Sequence, residues 1–212
     1  HYSPTLGEMK LRRAVADMET RTSPHPCSES EVAIFPGATN ALHSVMSCLL
    51  DPGDEVIVPE PMYVGYPQIM GAIDARLVSV PLLVEADFAI DLEAIEAAIT
   101  ERTRVIFVNT PGNPTGSIIP AAQLEALATL CRDQGLWLVC DEVYSMFTYD
   151  GRHRSLRSCV KQLDNVVMID GLSKSHAMSG WRVGWVVAPE GLVEQLGNDA
   201  GATLFGCPQF IQ

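Results

Sequence analysis

Among side chains able to act as nucleophile, acid or base, the lysines form the shortest set: Lys10, Lys161 and Lys174. Lys10 stands beside Arg12 and Arg13 on a charged helical stretch and Lys161 in a polar connection, both solvated places. Lys174 follows an apolar run, within Leu172-Ser173-Lys174-Ser175-His176. There an amine with a lowered pKa could condense with an aldehyde; an ordinary surface lysine is the alternative. Asp141 comes directly after five residues, 136–140, that should be buried, so its carboxylate needs a partner. A protonated ring nitrogen would serve, and a helix or turn cap is the plainer role. Tyr144, three residues on, turns its phenol into the same cleft or packs in the core. Gly37-Ala38-Thr39 puts small residues at a helix N-terminus, where free N–H groups and the helix dipole favour a phosphate. A tight turn with Thr39 as N-cap is the other reading. Arg182 lies in the apolar stretch Gly180-Trp181-Arg182-Val183-Gly184-Trp185. It reads as a buried fork for an anion, or as half of a structural salt bridge.

These residues share a position relative to the secondary structure. Short apolar runs at 32–35, 56–58, 77–80, 105–108, 136–140, 166–169 and 183–187 are strands by length. Between them, Leu42, Val45, Met46 and Leu49 share one helical face, as do Leu92, Ile95 and Ile99, and Leu124, Leu127 and Cys131. Strands alternating with helices predict an α/β fold, a mainly parallel sheet covered by helices in a three-layer αβα sandwich. Asp51-Pro52-Gly53-Asp54 ends one helix, Pro120 begins another and Gly135 closes it. A first amphipathic helix carries Leu11, Val15 and Met18, and residues 20–30 read as a surface connection. In open parallel sheets ligands bind beyond the carboxyl ends of the strands. Gly37-Ala38-Thr39-Asn40, the segment 109–116, Asp141-Glu142-Val143-Tyr144 and Asp170-Gly171-Leu172-Ser173-Lys174 all follow strands, so four strand ends converge on one polar cleft.

Composition narrows what the cleft can serve. The 212 residues suffice for one domain with a core, and 47% hydrophobic with 19% charged residues is a globular balance. No apolar run approaches the roughly 18 residues of a membrane helix. A net charge of −12 argues against a nucleic-acid grip and for a small-molecule partner. The six cysteines make no C-x-x-C pair and the five histidines no H-E-x-x-H, so no metal site is expected, and the free thiols fit the cytoplasm. Gly171-Leu172-Ser173-Lys174-Ser175 lacks the last glycine of a nucleophile elbow. The usual dinucleotide and nucleoside-triphosphate glycine patterns are missing too.

Taken together, Asn113-Pro114-Thr115-Gly116, Asp141-Glu142-Val143-Tyr144, Ser173-Lys174 and Gly180-Trp181-Arg182-Val183-Gly184 resemble the signature of class I/II pyridoxal-phosphate aminotransferases of fold type I, in order and in spacing. The resemblance runs from Tyr2-Ser3-Pro4-Thr5-Leu6-Gly7 to Pro208-Gln209-Phe210-Ile211-Gln212. It implies that Lys174 holds the cofactor as an internal aldimine and shuttles the substrate proton, and that Asp141 keeps the pyridine nitrogen protonated. Asn113 and Tyr144 would bond the ring's phenolic oxygen, and Tyr63 would stack on the ring. Gly37, Ala38 and Thr39, with Arg182 and Ser173, would hold the phosphate. Tyr2 matches a tyrosine that reaches the phosphate of a neighbouring subunit, which implies a homodimer.

The resemblance further implies that residues 1–212 are the cofactor-binding large domain, without the N-terminal arm and the small C-terminal domain of family members roughly twice as long. Gly171 stands where the family often has a phosphate-binding serine. Glu60-Pro61-Met62-Tyr63-Val64 and the segment 172–181 are most similar to arginine–pyruvate aminotransferases, which implies amino transfer between an L-amino acid, arginine or another guanidino amino acid, and a 2-oxo acid. The same contacts support a pyridoxal-phosphate-dependent lyase or oxidase, or a truncated non-catalytic cofactor-binding domain, as alternatives.

Overall fold

Within each apolar run, alternate side chains face opposite sides of a sheet, and the short β-branched segments form strands on that basis. The computed structural model describes residues 2–149 and 153–212. Its strands are β1 (Val32–Phe35), β2 (Glu55–Glu60), β3 (Arg76–Pro81), β4 (Thr103–Asn109), β5 (Trp137–Asp141), β6 (Val166–Gly171) and β7 (Gly184–Val187). They form one sheet in the order β1-β7-β6-β5-β4-β2-β3. Every neighbouring pair is parallel except the two made by β7, which runs against both β1 and β6.

The α-helices are α1 (Met9–Thr22), α2 (Ala38–Leu49), α3 (Tyr66–Ala72), α4 (Leu92–Ala97), α5 (Ala121–Asp133), α6 (Leu156–Cys159), α7 (Leu172–Ser175) and α8 (Glu190–Thr203). One face of the sheet, with Ile34, Ile106, Val108 and Leu138, packs on α1, α4, α5 and α6 through Val15, Ile95, Leu124 and Leu156. The other, with Phe35, Val105, Phe107 and Val139, packs on α2, α3 and α8 through Leu42, Met70 and Leu196. The three-layer αβα sandwich expected from the sequence is present.

Two local details differ from expectation. Helix α1 continues to Thr22, so residues 20–22 belong to it and not to the connection. Helix α2 is capped by Gly37 at φ 92° and not by Thr39, because the turn out of β1 needs a left-handed residue before the helix begins. Gly135 closes α5 at φ 68°, as its position after the apolar period predicts.

The polar edge of the sheet gathers the site. Asn109 and Asp141 end β4 and β5 side by side in the parallel register. Gly184, which opens β7, pairs with Phe35 on one side and Gly171 on the other. The ends of four strands and the start of the antiparallel one therefore meet at one place.

Behind this edge lies a buried acid, Glu19 of α1, 5% exposed. Burial first, then the negative charge of Glu142, raises it from 4.5 to about 7, against the opposing pull of Arg157. The folded chain thus holds a proton that the unfolded chain releases, so stability present below the unfolded value is lost as pH rises through about 7. Glu19→Gln is expected to raise the melting temperature by several degrees at about pH 8, from up to ~3 kcal/mol, with the gain shrinking toward about pH 5. Thermal unfolding of both proteins across that range measures it.

Candidate active site

Close backbone approach builds one end of the cleft. A Cβ on Gly184 would lie 2.5 Å from the Ala38 nitrogen and 2.6 Å from the Gly37 carbonyl carbon, so glycine lets the start of β7 meet the α2 N-terminus. Arg182, two residues earlier, is left-handed at φ 54° and ψ 53°. Its Nη1 donates to the Ser179 carbonyl at 2.7 Å and its Nη2 to the Pro36 carbonyl at 3.3 Å. A Cβ on Gly37 would overlap the guanidinium. Arg182 is exposed, which corrects the expectation of a buried arginine: the left-handed turn swings its side chain out of the apolar stretch. It pairs with no carboxylate among the described residues, so the salt-bridge reading is not the one adopted. A cation beside the open N–H groups of a helix is a site for an anion such as a phosphate.

Asp141 stands at the other end, 8% exposed. Its Oδ1 accepts the Val143 N–H at 3.1 Å, the turn-cap contact open to a lone aspartate, and its Oδ2 accepts the Tyr66 hydroxyl at 2.9 Å. Burial raises its pKa from 3.8 to about 6; the Val143 N–H, the Tyr66 phenol and the Lys174 charge pull it down, and Glu142 pushes it up. The Asn109 amide donates to the Asp141 carbonyl at 2.9 Å and its oxygen accepts the Asn113 N–H at 2.8 Å, which fixes the loop after β4. Asn113 Nδ2 then donates to the Tyr144 hydroxyl at 3.3 Å. Lys174, on α7 immediately after β6, lies with Nζ 5.7 Å from the centre of the Tyr144 ring.

These groups border a cleft of about 740 Å³, counting its open mouth. Nine of the eleven residues singled out from the sequence line it: Ala38, Thr39, Tyr63, Asn113, Asp141, Tyr144, Ser173, Lys174 and Arg182. Gly37 is buried just behind as the helix cap. Tyr2 does not line the cleft; it is 82% exposed with its ring 4.9 Å from that of Phe205. Tyr66 also lines the cleft, as do Ser179 and Val143, and sequence reasoning passed over all three. No local signal marks the first: Tyr66 opens α3 and Tyr63 lies in the turn before it, so helical periodicity does not relate the two.

Chemically, the cleft offers one amine, one buried carboxylate, a phenol with an amide, and an anion seat. That set fits a phosphorylated aromatic aldehyde with a basic ring nitrogen. The glycine at position 37, whose side chain could only occupy the space of the guanidinium, fits the close backbone approach of a phosphate. Among the described residues no cluster of His, Cys, Asp or Glu could hold a metal ion, and no helix is long and apolar enough to cross a membrane.

Comparison with known proteins gives concordant results. The family described as "Aminotransferase class I and II" matches residues 1–212. The chain is 46% identical over its whole length to an arginine–pyruvate transaminase of Pseudomonas aeruginosa, covering 54% of that protein. It is 36% identical to an aspartate aminotransferase of Streptomyces avermitilis, over 93% of this chain and 49% of that one. Among solved structures, an aspartate aminotransferase from Thermus thermophilus with maleate aligns at a TM-score of 0.94 and 33% identity, over 100% of this chain and 55% of the other. The chain thus spans about half the length of the curated relatives it matches.

Proposed function

The chain belongs to the class I and II aminotransferases, and from that premise we propose that the cleft binds pyridoxal phosphate and serves amino transfer from an L-amino acid to a 2-oxo acid. The observation that carries the reading is that Lys174, Asp141, Tyr144 and Arg182 line one cleft. Pyridoxal phosphate, when bound, supplies an aldehyde for amine exchange and a ring that withdraws electrons from the substrate carbon. Lys174 supplies the amine and carries the proton taken from that carbon. Asp141 holds a proton on the ring nitrogen as a charged partner. Tyr144 and Asn113, already 3.3 Å apart, donate to a phenolic oxygen. Tyr63 would cover the ring face, and Arg182, Ser173 and the N–H groups of Ala38 and Thr39 would hold the phosphate; the Gly37 N–H, expected to join them, is already given to the Phe35 carbonyl at 2.7 Å.

We read arginine, or another guanidino amino acid, as the donor and pyruvate as the acceptor, on the 46% identity to the arginine–pyruvate transaminase. The aspartate aminotransferases among the relatives support aspartate as a second reading. Absorption spectra of the full-length protein with pyridoxal phosphate test both. The visible band should give way to the amine-form band on adding L-arginine and return on adding pyruvate; a response to L-aspartate alone would favour the second reading, and a response to no amino acid would end both.

Residues 1–212 then act as the cofactor-binding domain of a homodimer, with the exposed Tyr2 reaching the phosphate in a neighbouring subunit. Six free cysteines support a reducing, cytoplasmic setting. For the phosphate end, Arg182→Ala is expected to raise the half-saturating pyridoxal phosphate concentration at least ~10-fold, through loss of charge-assisted hydrogen bonds. Gly37→Ala should do the same from the opposite side, because its Cβ at φ 92° displaces that guanidinium. Titration of the cofactor-free protein measures both.

A further inference from the structure

A carboxylate that is buried and still ionised needs donors, and Asp141 has two within the protein. One oxygen takes the Val143 N–H and the other the Tyr66 hydroxyl at 2.9 Å. Tyr66 opens α3 and is 4% exposed. Its ring is locked edge-on against Phe107 of β4, at 4.6 Å and 83°, and against Tyr63, at 5.3 Å and 77°. Burial and the Asp141 charge push its phenol well above the ordinary value of 10, so it is a donor at neutral pH. With each carboxylate oxygen held by one donor, Asp141 keeps acceptor capacity to spare beside the cleft that both residues line.

We propose that Tyr66 is a positioning residue that fixes the Asp141 carboxylate for a ring N–H donor in the cleft. Resting on the cofactor reading above, it gives Tyr66 a further part, because the same ring braces Tyr63 and so ties the charge partner of the ring nitrogen to the group over the ring face. No proton moves to or from Tyr66 itself.

Tyr66→Phe keeps both ring contacts and deletes only the hydroxyl. Cofactor-free protein is titrated with pyridoxal phosphate and with its analogue carrying C–H in place of the ring nitrogen. The variant should bind pyridoxal phosphate about tenfold more weakly and the analogue within about twofold of the unaltered protein, as the loss of one hydrogen bond to a charged group predicts. The pH below which pyridoxal phosphate binding falls should also move upward. In an Asp141→Asn background the same substitution should change neither affinity, which closes the cycle even if Tyr66→Phe costs some stability. Equal weakening of both compounds, or none, overturns the proposal, since a tyrosine that only packs cannot tell nitrogen from carbon. Failure of the cofactor reading looks different: the unaltered protein then binds neither compound, and both readings fall.

Discussion

Lys174→Ala is expected to abolish the visible absorption of protein-bound pyridoxal phosphate and to lower amino transfer in the full-length protein by at least ~10⁴-fold. Positioned proton transfer alone contributes roughly 10²–10⁴-fold, and the amine that anchors the aldehyde is lost with it. No other lysine can substitute. Lys10 is exposed on α1, and Lys161 is bound at 2.9 Å to Glu125 on a different surface. Because Lys174 is exposed to the cleft, its removal should leave folding stability within about 0.5 kcal/mol. The loss is therefore chemical and separable from unfolding. Borohydride followed by intact mass measurement decides it: the unaltered protein gains the reduced cofactor on one lysine, and the variant gains nothing. A variant that retained the adduct would place the reactive amine elsewhere.

The parts of this site that the sequence reveals are those encoded locally. Apolar runs of four or five residues followed by Gly37, Asn109, Asp141 and Asp170 mark strands and also mark the edge where a ligand sits. Lys174 and Asp141 stand out because each follows such a run. What stays hidden depends on contacts between distant residues. The Tyr66 to Asp141 bond joins positions 75 apart, and nothing at either position requires it. The antiparallel direction of β7 follows from the return after β6 through α7 and the helical turn Ser179–Trp181, which periodicity cannot register, since a strand reads alike in both directions. Arg182 misleads for a related reason. Its apolar neighbours suggest burial, but a left-handed backbone at that one residue turns the side chain outward while Val183 and Gly184 enter the core. Gly184 matches a pattern in the sequence, and its purpose shows only when α2 is seen packed against it.

Asp141→Asn is expected to do two opposite things. Without cofactor, the folded carboxyl titrates near 6 and the unfolded one near 3.8, so the group's contribution to stability is full below the lower value and lost as pH rises through the higher. At neutral pH the ionised side chain then costs ~3 kcal/mol at most. An amide can still accept the Val143 N–H and cannot ionise, so the cofactor-free variant should melt several degrees higher at about pH 8 and nearly level with the unaltered protein at about pH 4. With cofactor most of that advantage should disappear. Binding at a hundred times the dissociation constant adds ~2.7 kcal/mol to the unaltered protein, and the variant forfeits most of that together with at least ~100-fold of its amino transfer. Thermal unfolding at both pH values, with and without pyridoxal phosphate, reads all four states. A variant less stable than its parent in the cofactor-free form at about pH 8 would mean that Asp141 is held for the fold. An advantage that is present without cofactor and largely gone with it means instead that the buried charge is an unfavourable feature of the empty site, offset only when a protonated ring nitrogen arrives to meet it.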